Sequence, residues 1–294
     1  MYNIDELNFI LVRYGRTLYA AGKTYNQYAE TLNALTALKP GLRRMMTAAW
    51  DLGIAWTKQE PSQHHIPVPA PILIAMISVA IMWGWMSTAG LLALGFGGLL
   101  RPGEMVAALR QDLLLPSDTG FTTSFVLLSI REPKSRYTYA RQQTAKVDSS
   151  DLVQVIDIAF RKLQGVQRLW PYSAQTLRTR FLSLLKALKL PVTSSPGNRC
   201  LDLGSLRSGG ATFIILSTEN GELCRRRGRV ANAKMMEIYV QESMALQYLL
   251  MIPQHSRFFI FAVAGTFQQL IHQARTYREA LIPESAWYFL FSSQ

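Results

Sequence analysis

From Ile66 to Leu100 the chain carries no Asp, Glu, Lys, Arg or His. A run of that kind has to leave water. It can cross a bilayer, which takes about 20 apolar residues, or it can be buried in a protein core. Its interior favours the core. Gly84 lies between Trp83 and Trp85 in the middle of the run, whereas membrane helices keep their aromatic residues at the interface. Ser87, Thr88 and Gly90 follow and read as a break between two buried helices. Gly95, Gly97 and Gly98 then loosen the end of the run. The expectation is two core helices. A membrane protein anchored by residues 66–100 is the remote alternative.

The rest of the chain must balance that run. The protein has 294 residues, 49% hydrophobic and 17% charged, so it has enough chain for a real core and is not a disordered sequence. Lys and Arg number 31 against 19 Asp and Glu, a net charge of +12. Such a surplus favours polyanions, either nucleic acid or an acidic membrane surface. The two cysteines, Cys200 and Cys224, cannot build a disulfide framework, and there is no CxxC. The histidines (His64, His65, His255, His272) show no metal-ligand spacing. Asp5 and Glu6 stand near the start, where a signal segment would be basic and then apolar. No cofactor and no metal are expected, and an intracellular setting is.

Apolar spacing predicts helices through residues 1–62: Leu7, Leu11, Tyr14 and Leu18, then Tyr28, Leu32 and Leu35, then Met45, Ala48 and Leu52, with Pro40-Gly41 before the last set. QHHIPVPAP, residues 63–71, reads as a linker. A second region spans 72–245. After the two apolar helices come LLRPGEM, with Pro102 suited to a first helical turn, and two strands, Thr122–Ile130 and Tyr137–Val147, around the polar turn REPKSR. Helices are then expected at about 150–164, 173–188, 204–217 and 232–245, with SSPGN at 194–198 as a loop. Residues 246–294 read as a tail. Its segment Phe261–Tyr277 forms a helix whose Phe267, Leu270 and Ile271 face needs a partner, in this chain or another. The fold class is mainly α with one small antiparallel sheet (α+β).

Three separated segments carry a more specific pattern. LGFGGLLRPGEMVAAL holds Arg101 and Glu104, LDLGSLRSGGAT holds Arg207, and GRVANAKMMEIYVQE ends on Tyr239. In this order, with Lys134 in the turn between the strands, they resemble the tyrosine recombinase, or phage-integrase, family. The resemblance covers roughly residues 68–245 and implies a recombinase catalytic fold. It further implies that residues 1–62, with Arg13, Arg16, Lys23, Arg43 and Arg44, are a small helical core-binding-like domain, lacking its first helix, that closes a clamp on DNA.

The chemistry so implied is coherent. Two guanidiniums, Arg101 and Arg207, clamp the non-bridging oxygens of a phosphodiester and stabilise the charge that grows on them. Tyr239 attacks and holds the strand as a 3′-phosphotyrosine ester. Lys134 protonates the leaving 5′-hydroxyl. Glu104 braces Arg101, and Arg225, Arg226, Arg227 and Arg229 grip the DNA backbone. The implied protein is an integrase-like site-specific recombinase of a mobile element. It acts as a homo-oligomer, a tetramer when active, on double-stranded DNA, in the nucleus if the cell has one.

Two positions depart from the pattern. The family's histidine three before the second arginine is Gly204, and its His or Trp nine before the tyrosine is Val230. Neither side chain can hold a proton or donate a hydrogen bond. A DNA-binding relic with impaired cleavage is therefore the alternative, and Gly204→His with Val230→Trp is expected to raise cleavage. Plain roles stand beside the catalytic ones. Arg101 suits a helix C-terminus, Glu104 a first turn, Lys134 a solvated turn with Lys146 as its rival, Tyr239 a core face beside Met235 and Met236, and Gly210 and Ala211 tight packing near Arg207.

Overall fold

The computed structural model describes residues 3–60, 65–119, 124–133, 142–193, 200–230 and 241–292. The chain divides into two compact units, Met1–Gln63 and His64–Gln294.

The first unit holds helices α1 (Ile4–Ala20), α2 (Tyr25–Leu38) and α3 (Thr47–Gln59), with a 3-10 turn at Pro40–Arg44. Asn3 opens α1 by accepting the N–H groups of Asp5 and Glu6. The core is Leu11, Tyr28, Leu32, Met46, Ala49 and Trp56. In the third segment this set is one residue out of step with the expected Met45 and Ala48, both of which face solvent. The 3-10 turn after Pro40 advances the chain at a different pitch from an α-helix and resets the phase. Tyr28 donates its hydroxyl to the Ala49 carbonyl at 3.0 Å, and burial pushes that hydroxyl up to about 12. Arg13, Arg16, Lys23, Arg43 and Arg44 are all exposed.

In the second unit the uncharged run forms α4 (Ala70–Met82) and α5 (Met86–Gly97). Each is too short to cross about 30 Å of hydrocarbon, since 13 residues rise only about 20 Å. No described helix is long and apolar enough to cross a membrane. Both helices are apolar on every side because both are surrounded. Helix α4 packs on α5 and on three helices from the end of the chain, α13 (Gln254–Gly265), α14 (Phe267–Glu279) and α15 (Glu284–Ser292). Helix α5 packs on α4, α8 (Ser150–Phe160) and α10 (Ser205–Thr218). The break lies at Trp83–Trp85, not at Ser87, Thr88 and Gly90, which are inside α5. Gly84 turns the chain with φ +67°, and a Cβ there would run into the Glu284 backbone.

Short helices α6 (Pro102–Ala107) and α7 (Pro116–Thr119) flank strand β1 (Leu113–Leu114), which sequence reading missed because two residues carry no periodicity. Strands β2 (Val126–Ile130) and β3 (Gln143–Val147) complete an antiparallel sheet of order β1-β2-β3, with Val126 opposite Val147 and Leu128 opposite Ala145. Helices α9 (Ala174–Ala187), α11 (Gly221–Gly228) and α12 (Glu242–Met251) finish the unit. The outer part of the expected hairpin, the 194–198 loop and most of the expected 232–245 helix lie outside the described residues.

Two expectations about organisation change. Residues 65–69 are not a free linker. Ile66 and Val68 are buried, and the Val68 N–H donates to the Ser205 carbonyl at 3.1 Å. Residues 246–292 are not a tail either. Phe267, Leu270, Ile271 and Trp287 belong to the main core with α4 and α5, so the face that needed a partner finds it in its own chain. The expected helix through 261–277 is two helices, divided at Thr266.

Gly84→Ala combines a strained positive φ with a backbone collision, and should cost about 2–4 kcal/mol in urea unfolding. Gly221→Ala, where a Cβ meets nothing within 4 Å, should stay within about 0.5 kcal/mol. Equal effects of the two would contradict this packing.

Candidate active site

The site is built on the end of α5. The two residues that follow it, Gly98 and Leu99, are buried, and their carbonyls must find donors. Two arginines supply them. Arg207, on the first turn of α10, donates from Nη1 to the Leu99 carbonyl at 2.8 Å and from Nη2 to the Gly228 carbonyl at 2.6 Å. Arg229 donates to the Gly98 carbonyl at 2.9 Å and to the same Leu99 carbonyl at 3.0 Å. Both are 4% exposed. Leu99 and Arg229 both take left-handed backbone, with φ of +50° and +53°.

Leu99 turns the chain so that Arg101 opens α6. Arg101 is therefore at a helix N-terminus, not the C-terminus that a cation would favour. Glu104 offsets that. Its carboxylate accepts the Arg101 backbone N–H at 2.9 Å and the Arg101 guanidinium at 2.8 Å, and it also receives Arg229 at 2.8 Å. Burial pushes the Glu104 carboxyl up. The Arg229 charge and the two Arg101 hydrogen bonds outweigh burial and hold it below the usual carboxylate range. These bonds join two guanidiniums, Arg101 and Arg229, to one carboxylate, and the shared Leu99 carbonyl links Arg207 to Arg229. Of the three only Arg101 reaches the surface, its side chain 26% exposed.

The chain brings Arg101, Glu104 and Arg207 together. Lys134 and Tyr239 lie outside the described residues. Its rival Lys146 sits on β3 over the Phe125 ring, 4.6 Å from the centroid. Gly210 leaves no space for a side chain beside the Phe96 carbonyl, so the small residues near Arg207 serve helix packing.

The basic cluster does not act as one surface. Arg225 pairs with Glu222 at 2.7 Å, Arg227 bonds Asp148 and the Lys146 carbonyl, Arg229 is internal, and Arg226 is exposed. The expectation that Arg229 grips DNA is corrected by its burial. A run of four arginines reads as a solvated face, and nothing in it marks the member that turns inward. Val230 packs with Leu99, Ala211 and Cys224, so a Trp there has no room. Burial pushes the Cys224 thiol up to about 11, which makes it a poor nucleophile at neutral pH.

Gly204 is not an empty position. The ring of His65 lies where its side chain would be, about 2.9 Å from an added Cβ. The His65 ring thus fills the space that a histidine at position 204 would need. Beside this loop an open groove of about 590 Å³ runs along Pro102, Gly103, Leu203 and the arginines Arg131, Arg168 and Arg178. Arg131 bonds Asp112 at 2.7 Å, while Arg168 and Arg178 are exposed.

Removing the Glu104 charge leaves Arg229 buried beside a neutral group. Glu104→Gln should cost about 3–5 kcal/mol in urea unfolding at pH 7. Because the folded carboxyl sits below its ordinary 4.5, its contribution is complete above that pH and is lost as pH falls through the folded-state value. The gap between wild type and Glu104→Gln should narrow from pH 5 to pH 3. A gap that stays constant over that range would contradict the assignment.

No family model and no curated protein sequence matches the chain. Solved structures do. The Tn1549 transposon integrase in complex with transposon right end DNA is 13% identical, covers 85% of this chain and 88% of its own, and superposes with a TM-score of 0.57. A lambda integrase dimer bound to a COC′ core site is 13% identical with a TM-score of 0.52. That match covers 80% of this chain, which spans 65% of the lambda integrase chain. Identity at this level speaks for architecture alone, and on architecture the matches agree: this chain has the mainly α, small-sheet fold of the tyrosine recombinases and integrases.

Proposed function

We propose that this protein is a DNA strand transferase of the tyrosine recombinase kind, cleaving and rejoining DNA through a 3′-phosphotyrosine at Tyr239. The observation that carries the reading is the excess of guanidinium over carboxylate around Leu99, with Arg101 at the surface and Arg207 behind it. Such a site favours a phosphodiester and the charge that develops on its oxygens. Tyr239 is the nucleophile and Lys134 the acid, both by their place in the motif order. The Tyr239 hydroxyl gives its proton to solvent as its oxygen bonds to phosphorus, the bond to the 5′-oxygen breaks, and Lys134 gives that oxygen a proton. The ester keeps the bond energy for rejoining.

The groove with Arg168 and Arg178, the exposed Arg226 and the basic residues of the first unit are the surfaces that would track the DNA backbone. Two structures with this fold are integrases captured on DNA, one of them as a dimer, which supports double-stranded DNA as the partner; a homo-oligomer on paired sites is the working form that this reading implies.

A second reading, a DNA-binding relic, is favoured by Val230, which is buried among apolar side chains where the family pattern has a hydrogen-bond donor. Loss of one such donor costs about 10²–10³ in rate in a hydrolase. The test is a pool of duplexes of random sequence, each nicked so that a cleaved end diffuses away. Wild type should trap a denaturant-stable adduct, slowly, and Tyr239→Phe none, with Arg101→Ala at least about 100-fold slower. Absence of adduct from wild type leaves the relic reading standing, and equal trapping by Tyr239→Phe would refute Tyr239 as nucleophile.

A further inference from the structure

His65 comes from a segment that sequence reading treats as linker, yet it is anchored on both sides. Behind it, Ile66 and Val68 are buried and the Val68 N–H bonds the Ser205 carbonyl. Gly209 lies so close to the Val68 backbone that a Cβ there would collide with it. In front, the His65 ring nitrogen Nδ1 is 2.8 Å from Asp202 Oδ2. The other Asp202 oxygen accepts the Ser205 N–H at 3.0 Å and so caps the helix whose first turn carries Arg207. Burial pushes the Asp202 carboxyl up, but the His65 hydrogen bond and charge and the backbone N–H groups of Ser205 and Gly204 hold it below the usual carboxylate range.

The result is an imidazole laid over Gly204 with its ring atoms 2.9–3.0 Å from where a Cβ would be. Its side chain is 57% exposed, so a ligand can reach it. Leu203, next to Gly204, walls the same groove as Pro102 and Gly103, next to Arg101. A carboxylate on one ring nitrogen fixes the ring's orientation.

We propose that His65 is the imidazole of this active site, holding through Nε2 a hydrogen bond to the phosphodiester that Arg101 grips. It does from a neighbouring segment what Gly204 cannot do from α10. Asp202 is its positioning residue. This rests on the cleavage reading above.

An imidazole exchange tests it on the same pool of nicked duplexes, with circular dichroism confirming that each variant is folded. His65→Ala should slow adduct formation by about 100- to 1,000-fold while DNA affinity stays within about threefold. Asp202→Asn, which can still cap α10, should slow it by about tenfold. The double variant His65→Ala with Gly204→His, in which the ring no longer blocks the position, should recover at least tenfold over His65→Ala. Gly204→His alone should gain nothing. A merely structural role for His65 would not be rescued by an imidazole on another segment. Adduct from His65→Ala at the wild-type rate, or no recovery in the double variant, overturns the assignment of His65 and leaves the cleavage reading intact. No adduct from wild type overturns this role together with cleavage.

Discussion

Helix α5 ends in the interior, where the carbonyls of Gly98 and Leu99 cannot turn to water. An unpaired buried carbonyl costs about as much as a lost hydrogen bond, and the protein meets the requirement with charge-assisted donors from Arg207 and Arg229. Cations at a helix C-terminus also suit its dipole. The cost is two buried guanidiniums, and Glu104 offsets one of them directly. Everything around the site follows from that closure. Leu99 enters the left-handed region, the chain reverses, and Arg101 emerges at the start of α6 with its guanidinium on Glu104.

The same closure ties distant parts of the sequence together. Arg207 joins α5 to the end of α11 through the Gly228 carbonyl, and Arg229 joins α11 to α6 through Glu104. Arg227, two residues earlier, bonds the Lys146 carbonyl on β3. The sheet, the Arg207 helix and the Arg101 turn are thereby held in one frame. An anion placed at Arg101 meets a guanidinium whose position is already fixed, so little reorganisation is needed when charge develops there.

Much of the fold was legible because burial leaves a period or an absence in the sequence. The uncharged run from Ile66 to Leu100 became two core helices, and the end of the expected Thr122–Ile130 strand became β2. What was misread depended on contacts between distant residues. Gly90 looks like a helix break, but it is where α5 meets Phe160 of α8. The helices after residue 246 look like a tail because their partner, α4, lies far back in the chain. At the site, Arg101, Glu104 and Arg207 were found through a family resemblance, and the bonds of Arg207 and Arg229 to the Leu99 carbonyl were not foreseen. Arg229 was hidden in an arginine cluster and His65 in a proline-rich stretch, since neither sequence context records which arginine is buried or which histidine meets Asp202.

The central claim is that Arg101, presented by this buried frame, receives a DNA phosphate. A crystal structure of the protein on a cleavable duplex tests it most directly. The account predicts a phosphate oxygen within hydrogen-bonding distance of the Arg101 guanidinium, about 2.7–3.2 Å, with the Arg207 and Arg229 bonds to Leu99 intact. DNA bound on another face, with Arg101 engaged by Glu104 alone, would contradict it.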